Sequence, residues 1–359
     1  MKTSKKIGLG LLTLGLAVGL AACGNNDKKG TASSDAGKDG SSDDFSVALV
    51  TDLGGVDDKS FNQSAWEGLQ EWGKEAGKEK GVGGYDYKQS DSDADFLPNL
   101  NAAIDDGFDT VFGIGFKLQP AIEEVAKANA DTHFVIIDSV VEDQDNVASV
   151  LFKDHEAAYL AGIAAANATK SKKIGFVGGQ EGDVIGRFEA GFVEGVKSVD
   201  DSIKVQVKYA GSFGDAAKGK SIAAAMYHDG VDVIFHASGD TGQGVFSEAI
   251  DVMNTKPENP VWVIGVDRDQ EEEGEYADGN VTLTSTLKGV GTSVKDIAQK
   301  SADGNFPGGE LMVYGLKEGG VDLTDGQLDD VNPEIKKAIK EAKEKIIAGE
   351  IEVPDKPAK

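Results

Sequence analysis

Residues 45–68 read FSVALVTDLGGVDDKSFNQSAWEG: a continuous apolar run that stops at Asp52, a loop of glycines and acids, then a stretch with helical spacing. Trp66, Leu69 and Trp72 share one helical stripe, so the segment reads as a strand, a turn and a helix. A strand that is apolar throughout, rather than alternately, is buried on both faces, as in a parallel sheet covered by helices. Ser60 stands where a helix cap is expected. Phe61 and Asn62 on the first helical turn then need either a packing reason or a ligand.

The same unit recurs along the chain. Short β-rich runs follow at DTVFGIG (109–115), HFVIID (133–138), VASVLF ending at Phe152, KIGFVGG (173–179), IKVQVKYAG (203–211), VDVIFHASG (231–239), VWVIGVD (261–267) and VTLTST (281–286). Helical stretches lie between most of them, among them a stripe of Ile122, Val125 and Ala126 and an Ala- and Leu-rich segment over 154–168. Such alternation predicts an α/β fold. The series is too long for one sheet, and the polar break NATKSK (167–172) divides it, so two Rossmann-like lobes are expected. The division places 45–168 with about 289–310 in the N-terminal lobe, and 169–288 with about 311–359 in the C-terminal lobe. The strand LMVYGLK (311–317) and a Lys-rich helix from about Pro333 to Ile347 fall in that last segment. Repeated crossing between lobes predicts a multi-strand hinge.

The first residues bound the compartment. MKTSKKIGLGLLTLGLAVGLAAC has a basic start, a short apolar stretch and small residues before Cys23, which predicts a signal peptide over 1–22. Leu20-Ala21-Ala22-Cys23 looks like a bacterial lipobox. Cys23, the sole cysteine, is therefore expected to carry lipid and hold the protein on the outer face of the cytoplasmic membrane. A single cysteine excludes an intrachain disulfide and a cysteine-based zinc site. Residues 23–44 hold almost nothing that could enter a core and are expected to form a flexible acylated tether.

Formal net charge is −26, and losing Lys2, Lys5 and Lys6 with the signal peptide takes it to −29. Such a surface repels nucleic acid and polyphosphates, so a neutral or cationic ligand is favoured and no nucleic-acid partner is expected. GSFGDAAKGKS (211–221) lacks the spacing of a phosphate loop. His133, His155, His228 and His236 show no metal spacing, and no nucleophile elbow is present. The acidic runs DSDAD (91–95) and DLTDGQLDD (322–330) lack the glycine and terminal glutamate of a calcium loop. Neither an enzyme, a metal nor a cofactor is expected.

What remains suits holding a ligand. Asp52, Asp138, Gly178-Gly179, Gly239 to Gly242, Asp267 and Lys288 fall at the carboxyl ends of the predicted strands, the edge where open α/β sheets bind ligands. Phe61 and Phe188 offer rings, the carboxylates accept hydrogen bonds, and Lys288 donates one. An Asp at a strand end also caps helices, and a Phe near a helix start also packs beneath it, so each residue alone suits either role.

Five segments carry a resemblance: TDLGGVDDKSFNQSAWEG (51–68), FVIID (134–138), GRFEAGFVEG (186–195), SGDTGQGV (238–245) and GVDRDQ (265–270). In this order, behind a lipobox, they resemble the basic membrane protein family of bacterial lipoproteins, the nucleoside-binding subunits of ABC importers. The resemblance implies a type I periplasmic-binding-protein fold, a Venus flytrap that closes on purine nucleosides and delivers them to an ABC permease and ATPase. It implies that Asp52, Phe61 and Asn62 contact ligand, that Asp138 faces the base, and that Asp267 and Lys288 hold the ribose. Gly239 and Gly242 would let backbone approach it closely. Phe188 is read as the second stacking ring, with Phe213 and His236 as rivals. Two other readings stand beside this one: a type I binder of a sugar or signal molecule, and a surface adhesin or receptor module.

Overall fold

The structure is a computed structural model and describes residues 45–358. The expected signal peptide, the tether and Cys23 lie outside the described residues. The strands are β1 (Val47–Thr51), β2 (Tyr85–Lys88), β3 (Thr110–Ile114), β4 (His133–Ile137), β5 (Val147–Phe152), β6 (Lys173–Gly178), β7 (Lys204–Tyr209), β8 (Val233–Ala237) and β9 (Trp262–Gly265). A two-residue hairpin, β10 (Glu275–Tyr276) and β11 (Gly279–Asn280), precedes β12 (Thr282–Lys288), β13 (Leu311–Tyr314) and β14 (Val321–Leu323). The helices are α1 (Phe61–Glu75), α2 (Phe96–Asp105), α3 (Gln119–Ala128), α4 (Asp154–Ala168), α5 (Asp183–Val199), α6 (Ala216–His228), α7 (Thr241–Thr255), α8 (Val290–Ala302), α9 (Leu328–Val331) and α10 (Glu334–Ile347).

Among the described residues these build two six-stranded sheets. The first runs β13-β5-β4-β3-β1-β2 and is parallel throughout. The second runs β14-β12-β9-β8-β6-β7 and is parallel except for its antiparallel edge strand β14. The strands β1, β3 and β8 are fully buried, as their unbroken apolar runs require, and each sheet has an apolar cluster on both faces. The two lobes repeat one strand order, so β4 and β9 occupy equivalent places, and so do the residues that follow them.

The chain passes between lobes three times. It first passes along α4, which is buried on nearly every side because both lobes clasp it: Ala157, Leu160 and Ile163 pack in the first core, and Ala158, Ala161 and Ala165 in the second. It returns after β12, where α8 packs on α1, and passes again between β13 and β14.

That third passage corrects the expected division. Leu311–Tyr314 pairs in parallel with Ser149–Phe152 in the first sheet, not the second. Helix α10 then sits on α4 with Ile335 in the second core but Ala342 and Ile346 in the first. A four-residue apolar run announces a strand, but either sheet had a free edge to receive it. Strands β2 and β14, absent from the sequence reading, are likewise edge strands, short and incompletely buried.

Candidate functional site

The carboxyl edges of the two sheets face each other across a cleft, the edge where open α/β sheets bind ligands. Asp52, Phe61, Asn62, Asp138, Phe188, Gly239, Asp267 and Lys288 all line it. Asp58, Phe116, Phe213, Val184, Ile185 and Val266 line it too.

The turn before α1 is organised by Asp58 rather than by Ser60. Asp58 Oδ1 accepts the backbone N–H groups of Ser60 and Gln63 at 2.8 and 3.1 Å, and its Oδ2 accepts that of Asn62 at 3.0 Å. The helix start is thus capped from two residues upstream, an arrangement that serves the same orphan donors as an ordinary cap. Ser60 is left free to reach across the cleft, where its hydroxyl donates to Asp267 Oδ2 at 2.5 Å.

Asn62 spends both amide hydrogens on the same lobe, donating from Nδ2 to Asp52 Oδ1 at 2.8 Å and to Asp58 Oδ2 at 3.0 Å. Two carboxylates on one side fix the amide's orientation, so Asn62 Oδ1 is the atom left over, buried and without a partner.

Asp138 and Asp267 occupy equivalent positions just past β4 and β9, and both hold a left-handed backbone conformation at φ 69°. Asp and Asn tolerate that region better than other L-residues. The kink ends the strand and sets each carboxylate at the cleft edge. Lys288 closes the circuit from β12: its Nζ donates to Asp138 Oδ2 at 2.6 Å, lies 3.0 Å from Asp154 Oδ1, and sits over the rings of Phe61, Phe152 and Phe188 at 5.2–5.6 Å. Behind it, Arg187 Nε donates to Asp154 Oδ2 at 2.9 Å. Asp138 Oδ1 remains buried without a hydrogen bond.

Burial governs the protonation of this group. It raises Asp52 well above the usual carboxylate range, raises Asp58 and Asp138, and pushes Asp267 up to about 7. Lys288 opposes the rise at Asp138 and Asp267. Burial would depress Lys288 itself, but Asp138, Asp154 and Asp267 outweigh it and hold the ammonium above its ordinary value. Among the described residues the cavity wall carries four carboxylates and a single ammonium that already has partners. Its unpartnered buried atoms, Asn62 Oδ1 and Asp138 Oδ1, are acceptors. It suits a ligand that donates several hydrogen bonds and presents a flat apolar face to the rings, and it does not suit a phosphate.

Among the described residues four phenylalanines line the cavity: Phe61 and Phe116 from the first lobe, Phe188 and Phe213 from the second. Phe116 and Phe213 meet edge to face across the cleft with centroids 6.2 Å apart.

The sequence profile of the Bmp family, described as ABC transporter substrate-binding protein, PnrA-like, matches residues 45–357. The chain belongs to this family. The ABC transporter nucleoside-binding protein BmpA of Lactococcus lactis is 53% identical over 98% of this chain and 99% of its own length. The CD4+ T-cell-stimulating antigen of Listeria innocua is 49% identical over 97% of both chains. An ABC transporter solute-binding protein from Aeropyrum pernix superposes with a TM-score of 0.77 at 28% identity, covering 86% of this chain and 94% of that one. The two-lobed α/β architecture is thus that of type I periplasmic binding proteins. As a Bmp-family member the chain is an extracytoplasmic substrate-binding component of an ABC transporter, which works with permease and ATPase subunits, and not an enzyme. No helix among the described residues is long and apolar enough to cross a membrane.

One residue of the expected ligand set, Gly242, and one rival for the stacking ring, His236, lie elsewhere. Gly242 does not line the cavity. It is the second residue of α7, turned toward the sheet, where an added Cβ would stand 2.1 Å from His236 Cε1. The glycine is there for the imidazole. Gly242→Ala is expected to destabilise the fold by about 1–3 kcal/mol by overpacking, read as a lowered denaturant midpoint with the unfolding slope unchanged. His236, a rival for the stacking ring, is fully buried behind the wall, with Nε2 3.0 Å from Gln270 Oε1, and burial lowers its pKa to about 4. Gly239, by contrast, lines the cavity at φ 57°.

Asp58 and Phe116 escaped the sequence reading for different reasons. Asp58 sits in the cap-rich stretch DDKS, a recognisable signal attributed instead to Ser60. Phe116 directly follows the strand end at Gly115, and its position alone was available to flag it.

Proposed function

We propose that this protein is a lipid-anchored receptor that captures nucleosides, purine nucleosides foremost, and hands them to an ABC permease and ATPase. Phenylalanines from both lobes form walls for a base, while Asn62 Oδ1 and Asp138 Oδ1, on residues that line the cleft, are buried acceptors without partners. That pairing of rings with unsatisfied acceptors carries the reading, and the nucleoside-binding name of the Lactococcus relative agrees with it. Asp52, Phe61 and Asn62 contact the ligand from the first lobe, and Asp138 faces the base. Asp267 and Lys288 hold the ribose, and Gly239 lets backbone approach it. Phe188 and Phe213 supply rings from the second lobe. Among the described residues the wall's one ammonium is already paired with Asp138 and Asp154, so the cleft admits a nucleoside but offers its phosphate esters no free counter-charge. Cys23 carries the lipid that keeps the receptor at the outer face of the cytoplasmic membrane.

Thermal unfolding with inosine, guanosine, adenosine, cytidine, a nucleoside monophosphate, ribose and galactose tests the ligand class, since a ligand that binds only the folded state raises its stability. A shift with nucleosides and none with the monophosphate is expected; a shift with a free sugar alone would overturn the proposal. Phe61→Ala is expected to weaken nucleoside binding by about 1–3 kcal/mol, the usual worth of a base stacked on an aromatic ring. Unchanged affinity by calorimetry would assign Phe61 to packing against the first core.

A further inference from the structure

The geometry points to Gln270 as a latch that holds the two lobes shut without touching the ligand. Gln270 follows β9 in the second lobe and does not line the cavity. Its side chain is held from behind: Oε1 accepts the backbone N–H of Val266 at 2.8 Å and meets His236 Nε2 at 3.0 Å. Its backbone N–H donates to Ser285 Oγ at 3.1 Å. An amide oxygen can only accept, so His236 is the Nε2–H tautomer; Ser238 Oγ, 3.3 Å away, donates to its Nδ1.

With Oε1 so anchored, the amide nitrogen of Gln270 has one direction left. It crosses the cleft and donates to the backbone carbonyl of Lys59 at 2.8 Å. Lys59 is in the left-handed region at φ 59°, a conformation uncommon for a residue with a side chain. It sits between Asp58, which caps α1, and Ser60, which bonds Asp267. Two adjacent residues of the first lobe are thus gripped by two loop residues of the second. Asp267 belongs to the cavity wall; Ser60, Lys59 and Gln270 do not. Arg268 adds a third tie by donating from Nη2 to both oxygens of Glu67 at 3.0 and 3.2 Å, but both partners are partly exposed, so that pair adds little.

A bond present only when the lobes are closed favours closure by its own free energy, whatever the ligand. Gln270 therefore sets how long the receptor stays shut, while the cavity residues set what it accepts. This holds for any ligand of the cleft.

The test is Gln270→Glu, which keeps an oxygen for Val266 and His236 but presents an acceptor to the Lys59 carbonyl. Dissociation of inosine, guanosine and adenosine is measured by stopped flow at about pH 8, alongside small-angle scattering of the full chain with no nucleoside added. The variant is expected to release all three nucleosides about tenfold faster, by one common factor, and to show a larger radius of gyration. Gln270→Leu, which cannot repel the carbonyl, is expected to do the same to a smaller degree. Unchanged release rates, or a factor that differs between nucleosides, would overturn the proposal, the second because it would place Gln270 against ligand. If no nucleoside binds, the assigned ligand class is wrong. The scattering still decides the latch, and an unchanged radius of gyration overturns it.

Discussion

Lys288→Met is expected to destabilise the protein by about 3–5 kcal/mol near neutral pH, the usual effect of removing one partner from a buried ion pair. Met fills similar space, so lost charge rather than lost volume is the cause. Lys288 is 4% exposed, and the carboxylates at 2.6 and 3.0 Å belong to Asp138 and Asp154, which are 6% and 0% exposed. Asp154 keeps Arg187, but Asp138 loses its ion-pair partner and faces Asp154 across the gap. Burial already raises the Asp138 carboxyl above its ordinary value against the pull of Lys288. Without that pull it rises further, so the folded state holds a proton that the unfolded chain releases. The deficit therefore develops as pH rises through the carboxylate range and shrinks below about pH 4, where both states are protonated. Urea unfolding of parent and variant across pH checks this, and a loss of under about 1 kcal/mol at pH 7 would show that the pair is not desolvated.

Asp267→Asn is expected to act in the opposite direction on stability. Burial pushes Asp267 from an ordinary carboxylate value up to about 7. Below about pH 4 the group is protonated in both folded and unfolded chains and contributes nothing. Between there and 7 the unfolded chain gives up its proton while the folded chain keeps it, so stability falls as pH rises, and above 7 the full cost remains. At about 1.4 kcal/mol per unit the cost is on the order of 4 kcal/mol. Asparagine keeps an oxygen for Ser60 and removes the titration. The variant is expected to unfold at higher denaturant than the parent near pH 8 and together with it near pH 4. Part of the gain is offset because Lys288 loses one of its carboxylates, while Asp138 and Asp154 remain. If Asp267 holds the ribose, the same substitution weakens nucleoside binding, so stability and affinity move apart. A variant less stable than the parent at pH 8 would mean that Asp267 is a structural partner of Lys288 first.

Much of the site was legible in the chain because strand ends are legible. Asp52, Asp138, Asp267 and Lys288 were placed at the cleft by the single rule that apolar runs end at the binding edge, and the structure sets all four there. Gly242 was misplaced by the same rule: it follows a strand end in sequence, but the first turn of α7 faces it toward the imidazole of His236. Helical phase over one turn is what decided it, and a loop of unknown length before the helix hides that phase.

The fold class and its repetition came from local pattern alone, since an apolar strand followed by an amphipathic helix needs no distant contact to be recognised. So did the surplus of negative charge and the ring and amide at Phe61 and Asn62. Pairing between distant segments came only with the tertiary structure. The edge that received β13, the orientation of the Asn62 amide between two carboxylates, and the release of Ser60 from capping to bridge the lobes each depend on a partner far away in sequence. Gln270 shows the same division: it stands in the motif GVDRDQ (265–270), but its bridging role does not show there, because its donor and acceptor atoms are assigned by His236 and Lys59, which only folding brings together.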